Sequence, residues 1–203
     1  CHDPYAQSQS ADSSSLGSAY VIKRVNNISS PDDMIVASYV ARPHSQDEFN
    51  KNLFMLADYY NARIGFENDR GEVIAYARRH RKLHRLQEEF EMLDKKDLRS
   101  KKVKRQYGMH MTEARKRQGE IYIRDWLNTI RSTNEDGTQV LNMHKIYDLA
   151  LLQELIKFNH KGNFDRAMSL MVGMYHTREM YNSEVKEILE DNASAEWFDN
   201  NRY

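Results

Sequence analysis

A short apolar run, Ile64-Gly65-Phe66, closed by Glu67 and held between two stretches of helical periodicity, limits the fold of this chain more than any other feature. It follows two runs of strand character. Ala19-Tyr20-Val21-Ile22-Lys23-Arg24-Val25 and Met34-Ile35-Val36-Ala37-Ser38-Tyr39-Val40-Ala41 are rich in β-branched and aromatic residues. The turn chemistry between them, Asn26-Asn27 and Ser29 to Asp33, predicts an antiparallel hairpin. Arg42-Pro43-His44 breaks the second run. Ser45 then reads as a helix N-cap, with Glu48 completing a capping box. The helix is expected from Gln46 to Asn61, with Phe49, Leu53, Leu56, Ala57 and Tyr60 on one face. Ile64 to Glu67 is then a buried strand, and Glu72 to His80 a second helix. The order so far is strand, strand, helix, strand, helix, and the fold class expected is α/β. Only 3 prolines and 8 glycines in 203 residues suit long regular elements.

The second half reads as mostly helical. Arg78 to Arg105 is charge-dense, and Tyr107-Gly108 is a break. Thr112 caps a helix predicted from Glu113 to Ile130, with Ile121, Trp126, Leu127 and Ile130 partly in register. Asn134 to Gly137 is a turn, and Val140 to Ile146 holds a short strand. Asp148 to Phe158 is an amphipathic helix bearing Leu149, Leu151, Leu152, Leu155 and Ile156. After the loop Asn159 to Asn163, a strongly apolar helix is predicted from Asp165 to Tyr181. Met168, Met171 and Met174 lie on it at helical spacing, which makes them core. Cys1 to Leu16 is a serine-rich loop, and Glu184 to Tyr203 an acidic tail. The length suits one domain over residues 1–203, with 78–134 as a basic helical insertion and 184–203 as a C-terminal tail.

Chemistry is narrowed by what is missing. Lys+Arg and Asp+Glu both number 30, so the strongly basic signature of a nucleic-acid binder is absent, though a basic face balanced by an acidic one is not excluded. The one cysteine, Cys1, allows no disulfide framework and gives little support to thiol catalysis or a cysteine zinc site. No apolar run reaches 18 residues, and the polar N-terminal stretch is no secretion signal, which points to a cytoplasmic compartment. There is no G-x-x-x-x-G-K-[ST], H-E-x-x-H, G-x-S-x-G or G-x-G-x-x-G. What remains is carboxylates at strand ends and helix starts, the oxygen donors of a Mg²⁺ or Mn²⁺ site. Asp3 stands ahead of the first loop, Glu67 ends a buried strand, and Asp165 opens an apolar helix. Clustered carboxylates repel one another, and divalent cations relieve that repulsion.

Plainer readings stand beside each of these. Asp3 is equally an Asx-turn residue, Glu67 a partner for Arg63 or Arg70, and Asp165 a simple N-cap. Asp148 has the same capping reading and competes as the third carboxylate. Asp69 is either turn chemistry or a fourth acidic ligand. Arg78, Arg79, Arg81 and Lys82, with Lys101, Lys102, Lys104 and Arg105, could hold a phosphate backbone. The interleaved Glu88, Glu89, Glu91, Asp94 and Asp97 favour a solvated charged face instead. His80 and His84 lie one turn apart but among cations, which opposes metal binding.

Four stretches together resemble a family. They are His2-Asp3-Pro4-Tyr5-Ala6, the hairpin from Leu16 to Pro43, the helix and strand from Leu53 to Gly71 that deliver Glu67-Asn68, and the closing helices Leu151 to Phe158 and Gly162 to Leu170. The chain is similar in them to the C-terminal nuclease domain of the large terminase subunit of tailed bacteriophages. The likeness runs from Cys1 to about His176 and is loose between Arg78 and Asn134. It implies an RNase H-like fold, a mixed central sheet flanked by helices. It implies a metal-dependent endonuclease that cuts concatemeric double-stranded phage DNA during genome packaging. Asp3, Glu67 and Asp165 occupy the places of the family's metal ligands for two Mg²⁺ or Mn²⁺ ions. The partners implied are double-stranded DNA and, in the whole protein, an ATPase domain, a portal and a small terminase subunit, in the cytoplasm of an infected bacterial host. Two departures stand out: Arg166 follows Asp165 where the family often has a second Asp, and little of the first strand precedes Asp3. A junction resolvase or integrase-type nuclease on the same fold, and a non-catalytic module docking through the Glu184 to Tyr203 tail, are the competing expectations.

Overall fold

The structure, a computed structural model, describes residues 16–24, 33–68, 71–88, 107–159 and 162–178, together with the backbone of His2 and Asp3. Strand β1 (His2–Asp3) pairs antiparallel with β2 (Gly17–Lys23), which pairs antiparallel with β3 (Met34–Ala41). The expected hairpin is present. Its register runs from Gly17↔Ala41 to Lys23↔Met34, with an irregularity between Val21 and Ile22. Asp3 is the cross-strand partner of Ser18 and His2 of Ala19.

Helix α1 (Gln46–Tyr59) begins where the capping chemistry predicts, with Ser45 Oγ accepting the Glu48 N–H at 3.1 Å. Its buried face carries Phe49, Leu53, Phe54 and Ala57. Phe49 lies on Gly17, where a Cβ would come within 2.4 Å of the ring. The Ile64–Glu67 segment is extended and buried, but it pairs through isolated parallel bridges, Ile64 with Leu86 and Glu67 with Met109, instead of a continuous ladder. Gly108, at φ +76°, makes the turn into that second bridge; a side chain there would meet Phe66. Helix α2 (Glu72–Arg79) completes this half by stacking Tyr76 on Phe54 at 5.2 Å.

Helix α3 (Glu113–Leu127) starts at Thr112 as predicted but ends three residues early. Ile130 belongs instead to β4 (Ile130–Thr133), which pairs with β5 (Gln139–Leu141) around the Asn134–Gly137 turn. Ile130 and Ile121 are exposed, and the buried face of α3 is Gly119, Ile123 and Trp126. The β-branched Ile130 and Thr133 suit a strand, and periodicity alone could not place that boundary. The short strand expected after the turn ends at Leu141, and Asn142–Lys145 is a 3₁₀ turn. Helix α4 (Leu149–Lys157) follows, but Leu149 and Ile156 are 72% and 85% exposed, so its inner face is Leu151 with Leu152 and Leu155. Helix α5, residues 165–178, buries Ala167 and every residue from Ser169 to Tyr175.

The strands separate two apolar clusters. Ala19, Ile64 and Phe66 pack with α1 and α2, whereas Tyr20 and Ile22 pack with α3, α4 and α5. This alternation along each strand is the period-two rule acting in a sheet covered on both faces. The chain is thus α/β, with a three-stranded antiparallel sheet, a two-stranded hairpin and helices on both sides.

Asp33 fastens the end of the hairpin to α3. Its carboxylate accepts from Trp126 Nε1 at 2.9 Å and Asn142 Nδ2 at 3.2 Å, and Arg131 lies 3.7 Å away. It holds this position at φ +47°, a backbone state that Asp and Asn tolerate better than most residues. Asp33→Ala leaves the Trp126 and Asn142 donors buried without a partner and should cost about 1–3 kcal/mol. Urea denaturation measures this, and Asp33→Asn, which keeps an acceptor and the backbone tolerance, should cost clearly less.

Candidate functional site

The three sequence-predicted carboxylates are delivered by three different elements. Asp165 is the first residue of α5, and its Oδ2 accepts the Leu16 N–H at 2.7 Å and Asn163 Nδ2 at 3.4 Å. Leu16 immediately precedes β2, whose second residue is the cross-strand partner of Asp3. The start of α5 therefore sits at the same end of the sheet as Asp3. Asp165 is not the N-cap of its helix. Phe164 C=O accepts the first helical bond, from Met168 N–H, and the N–H groups of Arg166 and Ala167 are satisfied by Glu154 Oε2 at 2.9 and 3.2 Å. A carboxylate from α4 caps α5, which leaves Asp165 to tie the helix to β2.

Glu67 is half-buried and fixed by its neighbours. Phe66 C=O accepts from Met109 N–H at 2.9 Å, and Asn68 donates its backbone N–H to Met109 C=O at 2.8 Å and its Nδ2 to Tyr107 C=O at 2.9 Å. Ile64 and Phe66 face the α1 side; Gly65 faces α5, where a Cβ would lie 1.3 Å from His176 Nε2. By the period of two, Glu67 shares the α5 face with Gly65. Asn61 to Gly65 line one cavity together with Ala19 to Arg24 and with Trp126, Met174 and His176. From Gly65 to Glu67 is about 7 Å of strand, and from His176 back to Asp165 about 16 Å of helix. Among the described residues no three His, Cys, Asp or Glu side chains are close enough together to hold a metal ion.

Asp148 has the role of a cap. Its Oδ1 accepts from the Ala150 and Leu151 N–H groups at 3.0 and 3.1 Å, and its Oδ2 accepts the Tyr20 hydroxyl at 2.8 Å. Burial, and after it the neighbouring Asp148 carboxylate, pushes the Tyr20 hydroxyl well above its ordinary range, which keeps it a donor. Arg166 lies between Asp148 Oδ2 at 3.7 Å and Glu154 Oε1 at 3.3 Å. Arg166 is thus the ion-pair partner joining α4 to α5.

The basic residues divide. Arg79 pairs with Asp47 at 2.5 Å, and Lys82 with Asp58 at 2.6 Å, where Arg85 joins at 2.9 Å. The Lys82 ammonium, with Arg85, holds Asp58 below the usual carboxylate range. Arg78 and Arg81 stand exposed. Asp69, Lys101, Lys102, Lys104 and Arg105 lie outside the described residues, as does the acidic tail. Sequence reasoning missed Glu154, Tyr20 and His176. Nothing local marks Glu154, because the helix it caps begins eleven residues later. No described helix is long and apolar enough to cross a membrane. Comparison with known protein families, curated proteins and solved structures finds no match to this chain.

Two outcomes follow from this geometry. Asp148→Ala should lower stability by about 1–2 kcal/mol, while Asp148→Asn, which still caps, should cost little; chemical denaturation separates them. Burial pushes the His176 imidazole from its ordinary 6.5 down to about 3, so the fold favours the neutral ring. Between those values the unfolded chain binds a proton that the folded chain refuses. His176 therefore contributes stability above pH 6.5 that is lost progressively as pH falls toward 3. Stability measured from pH 7 to 4 should fall less steeply in His176→Gln than in the wild type.

Proposed function

We propose that this chain is a divalent-metal-dependent endodeoxyribonuclease domain on an RNase H-like fold, acting on double-stranded DNA with Asp3, Glu67 and Asp165 as its metal ligands. The observation that carries the reading is the Asp165–Leu16 hydrogen bond, which brings the first turn of α5 to the sheet end where Asp3 pairs with Ser18. Glu67 is the third carboxylate, which the period of two puts on the α5 face of its segment. The donor chemistry fits hard cations: all three groups are carboxylates, and Asp148, the competing acid, is already engaged by two backbone amides, Tyr20 and Arg166. When bound, two such ions supply an activated water and stabilise the oxygen that leaves the phosphorus.

The chain's own residues set the positions. The Leu16 N–H holds the Asp165 carboxylate in one orientation. The Met109 bridge fixes the backbone on either side of Glu67. Exposed Arg78 and Arg81 stand as contacts for backbone phosphates, whereas Arg79 and Lys82 are engaged by Asp47 and Asp58. With a net charge of zero, DNA binding should be weak, indifferent to sequence and steeply salt-dependent. The role in cutting concatemeric phage DNA alongside an ATPase domain, a portal and a small terminase subunit rests on the family resemblance.

The test is cleavage of linear duplex and of four-way junctions with Mg²⁺ or Mn²⁺. Glu67→Ala and Asp165→Asn should each reduce duplex cleavage at least a hundredfold, with circular dichroism unchanged. Asp148→Asn should cut within a few-fold of wild type. Loss of activity in Asp148→Asn with retention in Asp165→Asn would reverse the two roles. Preference for the junction would give the domain the resolvase task instead.

A further inference from the structure

Strand β3 is an edge of its sheet. It pairs with β2 on one side, and on the other side no backbone group from Met34 to Ala41 has a partner among the described residues. Edge strands are ordinarily kept apart by lysine, proline or inward-pointing charge. Met34-Ile35-Val36-Ala37-Ser38-Tyr39-Val40-Ala41 carries no proline and no charge. Its protection is the irregularity opposite Val21 and Ile22, where Val36 has no cross-strand partner. The regular edge is therefore Ala37 to Ala41. Helix α1 stands over that edge: the Tyr39 ring packs on Phe49 at 4.7 Å, and its hydroxyl accepts from Asn52 Nδ2 at 2.9 Å. One flank of α1 is held by the α2 side, through Asp47 with Arg79 and Asp58 with Lys82. The flank beside the edge is uncovered among the described residues. At about 3.6 residues per turn, Asn52, Met55 and Tyr59 form a stripe there. Met55 and Tyr59 are 57% and 82% exposed, which marks the stripe as apolar surface left to solvent in a single chain.

We infer that β3 is the interface of a symmetric dimer, in which two copies of this chain pair antiparallel along Ala37 to Ala41 and lay their α1 helices side by side. The strand itself points to a second copy as the occupant. Asp33 precedes β3 and Arg42 follows it, so an antiparallel copy brings unlike ends together and a parallel one like ends. Successive residues of a strand turn their N–H and C=O groups to opposite edges. Two copies can therefore bond only when odd-numbered residues face odd and even face even, which puts the two-fold axis on a residue. Full overlap of Ala37 to Ala41 puts it on Tyr39, with Ala37 opposite Ala41 and Ser38 opposite Val40 of the second copy. An axis perpendicular to the sheet leaves both α1 helices on one face. Asn52 lies over Tyr39 and hence over the axis, which turns the Met55 and Tyr59 stripe of each copy toward the α1 of the other. An apolar stripe that meets its own copy closes as a pair, in the manner of isologous contacts. Main-chain bonds supply the affinity, as in other strand additions. A strand of this length and one helix stripe fall short of the roughly 20 residues a side of a standard interface, so the dimer is weak and concentration-dependent. The inference is independent of the nuclease reading, because none of its residues is a proposed metal ligand or phosphate contact.

Sedimentation equilibrium of the full chain over a concentration series should show monomer passing to dimer and no larger species. In the dimer, amide hydrogen exchange should slow at least tenfold at alternate residues from Ala37 to Ala41, and dilution should remove the protection. Ser38 is exposed, and Ser38→Lys sets two ammonium groups close to the axis. Met55→Glu sets two carboxylates between the α1 helices. Each should weaken dimerisation at least tenfold with circular dichroism unchanged. If Ser38→Lys unfolds the chain, Met55→Glu, at a solvent-facing helix position, decides together with the exchange pattern. A chain that stays monomeric throughout the series overturns the proposal. A dimer that either folded variant leaves at full strength overturns it too. So does protection of the β3 edge that is independent of concentration, since another segment of the same chain then covers it.

Discussion

Helix α5 is the element that the rest of the molecule is arranged around. Seven consecutive residues, Ser169 to Tyr175, are buried, so no side of the helix is left to water. A helix apolar all round has to be enclosed, and each neighbour meets it through a different residue. Gly119 of α3 lets Met171 approach to within 2.3 Å of where a Cβ would stand; Gly65 does the same for His176. Tyr175 donates its hydroxyl to Arg115 C=O at 2.6 Å. These close approaches fix α5 against both α3 and the Ile64–Glu67 segment, and so fix where its first turn ends up.

That first turn meets a group of partly buried charges. Asp148 and Asp165 stand at the starts of α4 and α5, Arg166 follows Asp165, and Glu154 reaches the start of α5 from the middle of α4. Glu154 takes the amides of α5 and Asp148 those of α4, leaving Asp165 directed at β2. An unpaired carboxylate in such a setting would be costly, and Arg166 between two of them offsets that cost. Asp148 and Glu154 thus cap helices, and Asp165 ties the start of α5 to β2.

The two ends of the sheet differ accordingly. One end carries the start of α5, which Asp165 ties to Leu16 ahead of β2. The other carries the cavity between β2 and Arg63–Gly65, lined by apolar side chains from both helix layers. The same strands serve both, because successive residues of β2 and of Ile64–Glu67 alternate between the α1 side and the α5 side.

Local chemistry was sufficient for the elements that sequence determined. Ser45 and Thr112 cap helices because their hydroxyls reach amides three residues on, and the runs around Tyr20 and Val36 are rich in β-branched and aromatic residues and pair as consecutive strands. The Ile64–Glu67 segment and the core methionines were legible for the same reason. Tertiary structure decided the rest. Leu149 and Ile156 fit a helical stripe but face outward, since the helix turns Leu151, Leu152 and Leu155 to the core. Ile130 left α3 for a strand whose partner lies beyond a turn. Glu154 became the cap of a helix remote in sequence, and Arg166 became the bridge between two acids. Which carboxylate caps and which points at the sheet depends on where α5 lies relative to β2, a distance of 149 residues along the chain that no local pattern encodes.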